Sequence, residues 1–207
     1  MAAWLLALVG LLLAVPLDLA LIELWPSLQS DSQSGLVAAG IAGGVLAGGV
    51  LASRVPFLLV LDHELAHLLT AVLCLRRPVG LRVNEETGLA EYSHGRGRNL
   101  ILLAPYAWPW LAWALCGLHW LVRVELRDPV AVAIGAALGF SLVRVALDLR
   151  PYQTDLRRVG LVRSALCVAA WAPLLFTAPA LWALGGGVRT RAWLQRGAEL
   201  ALAAVGG

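Results

Sequence analysis

Six runs of mainly apolar residues, at 3–25, 35–53, 55–75, 99–122, 129–149 and 164–185, alternate with short polar segments. Each is close to the roughly 20 residues that a helix rising 1.5 Å per residue needs to cross the hydrocarbon layer of a bilayer. The pattern predicts an all-α polytopic membrane protein of about six transmembrane helices, with residues 1–207 as a single membrane domain. The first run has no basic residue ahead of it, is too long for a signal segment and is interrupted by Pro16 and Asp18, so it reads as a retained helix. In the second, Gly40, Gly44 and Gly48 recur every four residues and predict a groove for a closely packed neighbouring helix.

Between the third and fourth runs the period changes. Arg76-Arg77-Pro78 ends the helical stretch, and Leu81 to Tyr92 reads as two short strands around Glu85-Glu86-Thr87-Gly88, a small β-hairpin with Gly88 at a turn position needing positive φ. Pro109 predicts a bend in the fourth run, whose Tyr106, Trp108, Trp110, Trp113 and Trp120 suit an interfacial aromatic belt. Pro151 disfavours helix at Arg150, and Thr154 is a fair N-cap for a new helix starting at Asp155. The segment 188–205, with Arg189, Arg191 and Arg196, reads as an amphipathic surface helix.

Composition agrees with the pattern. Sixty per cent of residues are apolar and 14% charged, well outside the range of soluble domains. All 16 basic residues are arginine, which points to a GC-rich coding sequence and a bacterial plasma membrane. The net charge of +3 lies in loops with no basic face interleaved with aromatics, which argues against nucleic acid as a partner. Nine arginines fall in 76–98 and 150–163 against six at Arg54, Arg123, Arg127, Arg189, Arg191 and Arg196, so the positive-inside bias puts the first two segments on the cytoplasmic side. Cys74, Cys116 and Cys167 are odd in number and lie in apolar runs, and form neither a disulfide framework nor a thiolate metal site.

The chemistry lies in the third run. His63-Glu64-Leu65-Ala66-His67 places two imidazoles four residues apart, on one face of a helix, where both can hold one zinc ion with Glu64 beside it as general base. Charged groups near a bilayer centre cost about 2.5–3.5 kcal/mol each on insertion scales, so polar residues there point to a task. A catalytic zinc needs a third ligand. Thr70 and Leu73 occupy the metzincin glycine and third-histidine positions, which excludes that pattern, and Glu85 and Glu86 read as solvated turn acids. Asp155 is the favoured ligand and Asp148 the alternative, since Arg144 one turn earlier already accounts for Asp148 as an ion pair. Asp62 adjoins His63 but points about 100° away around the helix. Asp18 and Glu23 are candidates to line a polar cavity or to pair with Arg144. His94 reads as a loop residue and His119 as interfacial.

His63-Glu64-Leu65-Ala66-His67 and Pro151-Tyr152-Gln153-Thr154-Asp155 together resemble the site-2 protease family of intramembrane zinc metalloproteases, over about residues 55–165. Ala66 and Leu156 stand where members of that family often have glycine. The resemblance implies a metalloprotease core at 55–165 with accessory helices 3–25, 35–53 and 164–185. It also implies one catalytic Zn²⁺ and, as substrate, a transmembrane segment of another membrane protein. Such a segment must unwind before cleavage, and Leu81, Val83, Leu89 and Glu91 of the hairpin are candidates to hold it by strand pairing. Asp155 would have to reach well below the surface, since His67 lies nine residues before Arg76, about 13 Å along a helix. Two other readings are a non-catalytic homologue that binds membrane helices and a small proton or metal transporter. Retention of Glu64 opposes the first, and the lack of internal repeats opposes the second.

Overall fold

A computed structural model describes residues 2–29, 32–150 and 153–206. Helices α1 (Ala2–Gln29), α2 (Ser32–Arg54) and α3 (Pro56–Leu73) are followed by strands β1 (Pro78–Val83) and β2 (Gly88–Tyr92). Then come α4 (Arg98–Ala107), α5 (Trp110–Leu121), α6 (Arg127–Asp148), the short α7 (Thr154–Val159) and α8 (Leu161–Gly206). Among the described residues five helices, α1, α2, α3, α6 and α8, are long and apolar enough to cross a membrane, and the number is six if α4 and α5, bent by 79° about Trp108 and Pro109, count as one broken span. Large apolar side chains such as Leu12, Ile22, Leu46 and Val50 point outward, which suits a protein solvated by lipid.

The helices pack in two principal pairs. α2 lies against α6, and the glycine groove works from both sides. A Cβ on Gly44 would strike the main chain of Ala136, and one on Gly139 would reach the main chain of Ile41 and Val45. α1 lies along α8, tied by Trp171 Nε1–H to the Leu6 carbonyl at 3.0 Å and by Trp193 Nε1–H to that of Leu17 at 2.8 Å. α8 is two helical segments, because Gly185 and Gly186 leave the helical region between them. The break divides the apolar run from the segment read as a surface helix. That segment packs on α1 through the buried Trp193, and Arg196 pairs with Glu23 at 2.6 Å. Glu23 therefore does not pair with Arg144.

The hairpin forms where the sequence placed it, with β1 extending back to Pro78. Its turn is stabilised differently from the expectation. Asn84 Oδ1 accepts from the backbone N–H groups of Glu86 and Thr87, while Gly88 is already in β2 without positive φ. The α7 helix begins at Thr154 with Gln153 in the cap position and no side-chain cap, one residue earlier than predicted. The Pro151 break itself lies outside the described residues.

α7 turns one face inward. Leu156 and Val159 are buried with Leu102, Tyr106 and Cys167, while Arg157 and Arg158 stay exposed. This amphipathic turn carries Asp155 back into the bundle.

Candidate metal centre

α3 is apolar enough to span, yet Asp62, His63, Glu64 and His67 are all buried in the interior. Helical spacing puts the two imidazoles one above the other, with ring centroids 5.0 Å apart. His67 Nδ1 lies 2.7 Å from the carbonyl oxygen of Ile101 on α4. A carbonyl only accepts, so Nδ1 carries the proton and Nε2 keeps a free lone pair. His63 Nδ1 likewise donates to Asp148 Oδ2 at 2.8 Å, which leaves its Nε2 free.

Both Nε2 atoms face Asp155. Its Oδ2 lies 3.2 Å from His67 Nε2 and 3.5 Å from His63 Nε2. Donors held about 2.0–2.1 Å from a tetrahedral ion stand about 3.3 Å from one another, so these two edges match that spacing, and the three ligand atoms all lie within 4.8 Å of one another. His63, His67 and Asp155 form a group able to hold a metal ion, and the tautomers forced on the histidines by Asp148 and Ile101 are the ones ligation requires.

The sequence left two aspartates open, and the structure separates them. Asp155 is at the cluster, whereas Asp148 touches the far nitrogen of His63 and lies 3.6 Å from Arg144 Nη1. Arg144, fully buried, also meets Asp62 Oδ2 at 2.5 Å. A chain of polar contacts, Asp62–Arg144–Asp148–His63, thus runs across α3 and α6. A buried arginine is stable only when so compensated. Asp62 acts on His63 through this chain and not by contact, as its position around the helix required.

Glu64 projects toward the hairpin, its carboxylate against Gly88 of β2. The fit is close: a Cβ on Gly88 would stand 2.6 Å from Glu64 Oε1, so glycine is needed there for the approach of β2 and not for a turn. Register pairs Leu81 with Ala90 and Val83 with Gly88, so these four share the face over Glu64. Leu89 and Glu91 pair with Arg82 and Gly80 on the opposite face. The four hairpin residues expected to hold substrate therefore cannot form one surface, because strand pleating divides them.

Tyr106 was expected in an interfacial belt. It is fully buried, edge-on to His63 with centroids 5.5 Å apart, and its hydroxyl has no hydrogen-bond partner among the described residues. Nothing in the local sequence distinguishes Tyr106 from its aromatic neighbours. It lies near the end of α4, just ahead of a bend whose direction the sequence could not give. Glu85, Glu86 and His94 are exposed as expected, and His119 is buried in α5 away from the centre. Compared with protein-family models, with curated proteins and with solved structures, the chain matches none.

Proposed function

We propose that the protein is an intramembrane zinc metalloendopeptidase of the site-2 protease type, which hydrolyses peptide bonds in or near transmembrane segments of other membrane proteins. The observation that carries this reading is the convergence of His63 Nε2, His67 Nε2 and Asp155 with a carboxylate, Glu64, that belongs to the motif but not to the ligand group. A purely structural metal site has no use for that fourth group.

A zinc ion bound by those three side chains would supply a Lewis acid at an open fourth position and lower the pKa of water there to about 7. Glu64 takes the proton of the attacking water and delivers it to the departing amide nitrogen, so a C–N bond breaks as a C–O bond forms. Tyr106 donates its O–H to the carbonyl oxygen as negative charge builds on it, which gives its orphan hydroxyl a partner at that moment. Asp148 and the Ile101 carbonyl hold the imidazoles in register throughout. The main chain of the hairpin, already seated on Glu64, offers an edge along which an unwound substrate can replace its lost helical hydrogen bonds.

The test is zinc content and proteolysis in detergent, using a single-pass helical substrate, for wild type and Glu64→Gln. Stoichiometric zinc in both, with cleavage only by wild type, supports the proposal. Zinc in both and cleavage by neither across a substrate panel rejects it.

A further inference from the structure

A second constellation lies at the end of α3, apart from the metal group. The helix closes on a Schellman turn in which the Arg76 N–H bonds the Ala71 carbonyl and the Leu75 N–H that of Val72. This turn usually ends on glycine. Here Leu75 takes the left-handed conformation, φ 57°, with its side chain 95% exposed. The strained turn hooks Arg76 back under the hairpin, where it is 7% exposed. Its guanidinium donates to the carbonyls of Gly95 and Arg96 and lies 5.4 Å from the centroid of the Tyr92 ring. Among the described residues no carboxylate forms an ion pair with Arg76 or Arg98. A cation this deeply buried without an anion is costly, so the arrangement is incomplete as it stands.

The space beside it has the character of the missing partner. A cavity of about 320 Å³ is lined by Arg76, Arg98, Ser93 and His94, with Tyr92 and Gly95 and no acidic residue. Burial and the nearby Asp155 carboxylate push the Tyr92 phenol up, while Arg76, Arg98 and Arg158 oppose the rise. A separate apolar groove of about 520 Å³, within the range of small-molecule sites, is lined by neighbouring positions of the same two chain segments. The two are joined along the chain, since Leu73 and Cys74 line the groove and Arg76 the polar cavity, while Leu100 lines the groove and Arg98 the polar cavity. A charged recess at the end of a membrane-length helix, with an apolar groove lined by the neighbouring residues, has the polarity of one kind of molecule.

We propose that the two cavities form one binding site for an anionic glycerophospholipid, with its phosphate between Arg76 and Arg98 and an acyl chain in the groove past Leu73 and Leu100. Arginine suits the phosphate through paired N–H donors, and Ser93 and His94 offer further hydrogen bonds. The proposal uses none of the metal-centre residues and holds whether or not the protein is a peptidase.

The experiment is native mass spectrometry of the full chain released from detergent, titrated with phosphatidylglycerol and with the diacylglycerol of the same chains. Wild type retains one phosphatidylglycerol at least about tenfold more tightly than diacylglycerol, as expected for a charge-assisted phosphate contact. Arg98→Gln, at an exposed position, and Leu100→Trp, which fills the groove from its rim, each weaken binding by about fivefold or more. Arg77→Gln, outside both cavities, leaves it unchanged. Equal binding of the two lipids overturns the proposal, as does wild-type affinity in both Arg98→Gln and Leu100→Trp. Displacement of the adduct by inorganic phosphate alone identifies a free-anion site, and displacement by a neutral transmembrane peptide a helix-docking groove. Either result replaces the lipid.

Discussion

The smallest decisive features of this protein are single hydrogen bonds that choose between chemically equivalent atoms. His67 is committed to ligation through Nε2 because its Nδ1 meets a carbonyl, and His63 because its Nδ1 meets Asp148. From this follows an asymmetry between the two aspartates. Asp155→Ala removes a donor and abolishes stoichiometric metal, whereas Asp148→Ala keeps the ligands and weakens affinity by about 10–100-fold, read by metal titration against a competing chelator. Tyr106→Phe removes only a buried hydroxyl. It leaves metal content unchanged and lowers kcat by about 100-fold with little change in KM, because the lost interaction forms chiefly in the transition state. An equal loss in kcat and in metal content would instead make Tyr106 a packing residue.

At the scale of elements, the meeting of the hairpin with α3 decides whether Glu64 is positioned. β2 approaches so closely that a Cβ at residue 88 would run into the Glu64 side chain. Gly88→Ala forces Glu64 aside while the strand pairing and the ligands persist. Metal content should therefore match wild type while cleavage of a helical substrate falls by about 100-fold, the effect of a displacement near 1 Å in a reacting group. The hairpin, the glycine groove of α2 and the bend at Pro109 were all legible in the sequence, since each rests on local spacing or on a residue with restricted backbone freedom. The purpose of Gly88 was not. A glycine selected for clearance looks the same in a sequence as one selected for positive φ.

Taken as a whole, the molecule closes its centre by bringing α3, α4, α6 and α7 together, so a bound metal also acts as a cross-link. Removing it with a chelator should lower the thermal unfolding midpoint in detergent, by an amount equivalent to about 2.7 kcal/mol when free metal is held at 100 times its dissociation constant. A His63→Ala, His67→Ala double variant should show no such dependence on added metal. By itself the sequence determined the run of membrane-length helices, five or six in number, the hairpin and the shared face of His63 and His67, because apolar run length and helical period act over a few neighbouring residues. Only the tertiary structure decided which aspartate joins the histidines, which orients one of them, and that Tyr106 stands at the centre. Asp148 and Asp155 lie 85 and 88 residues from their histidine partners, and contacts at that separation depend on how whole helices pack.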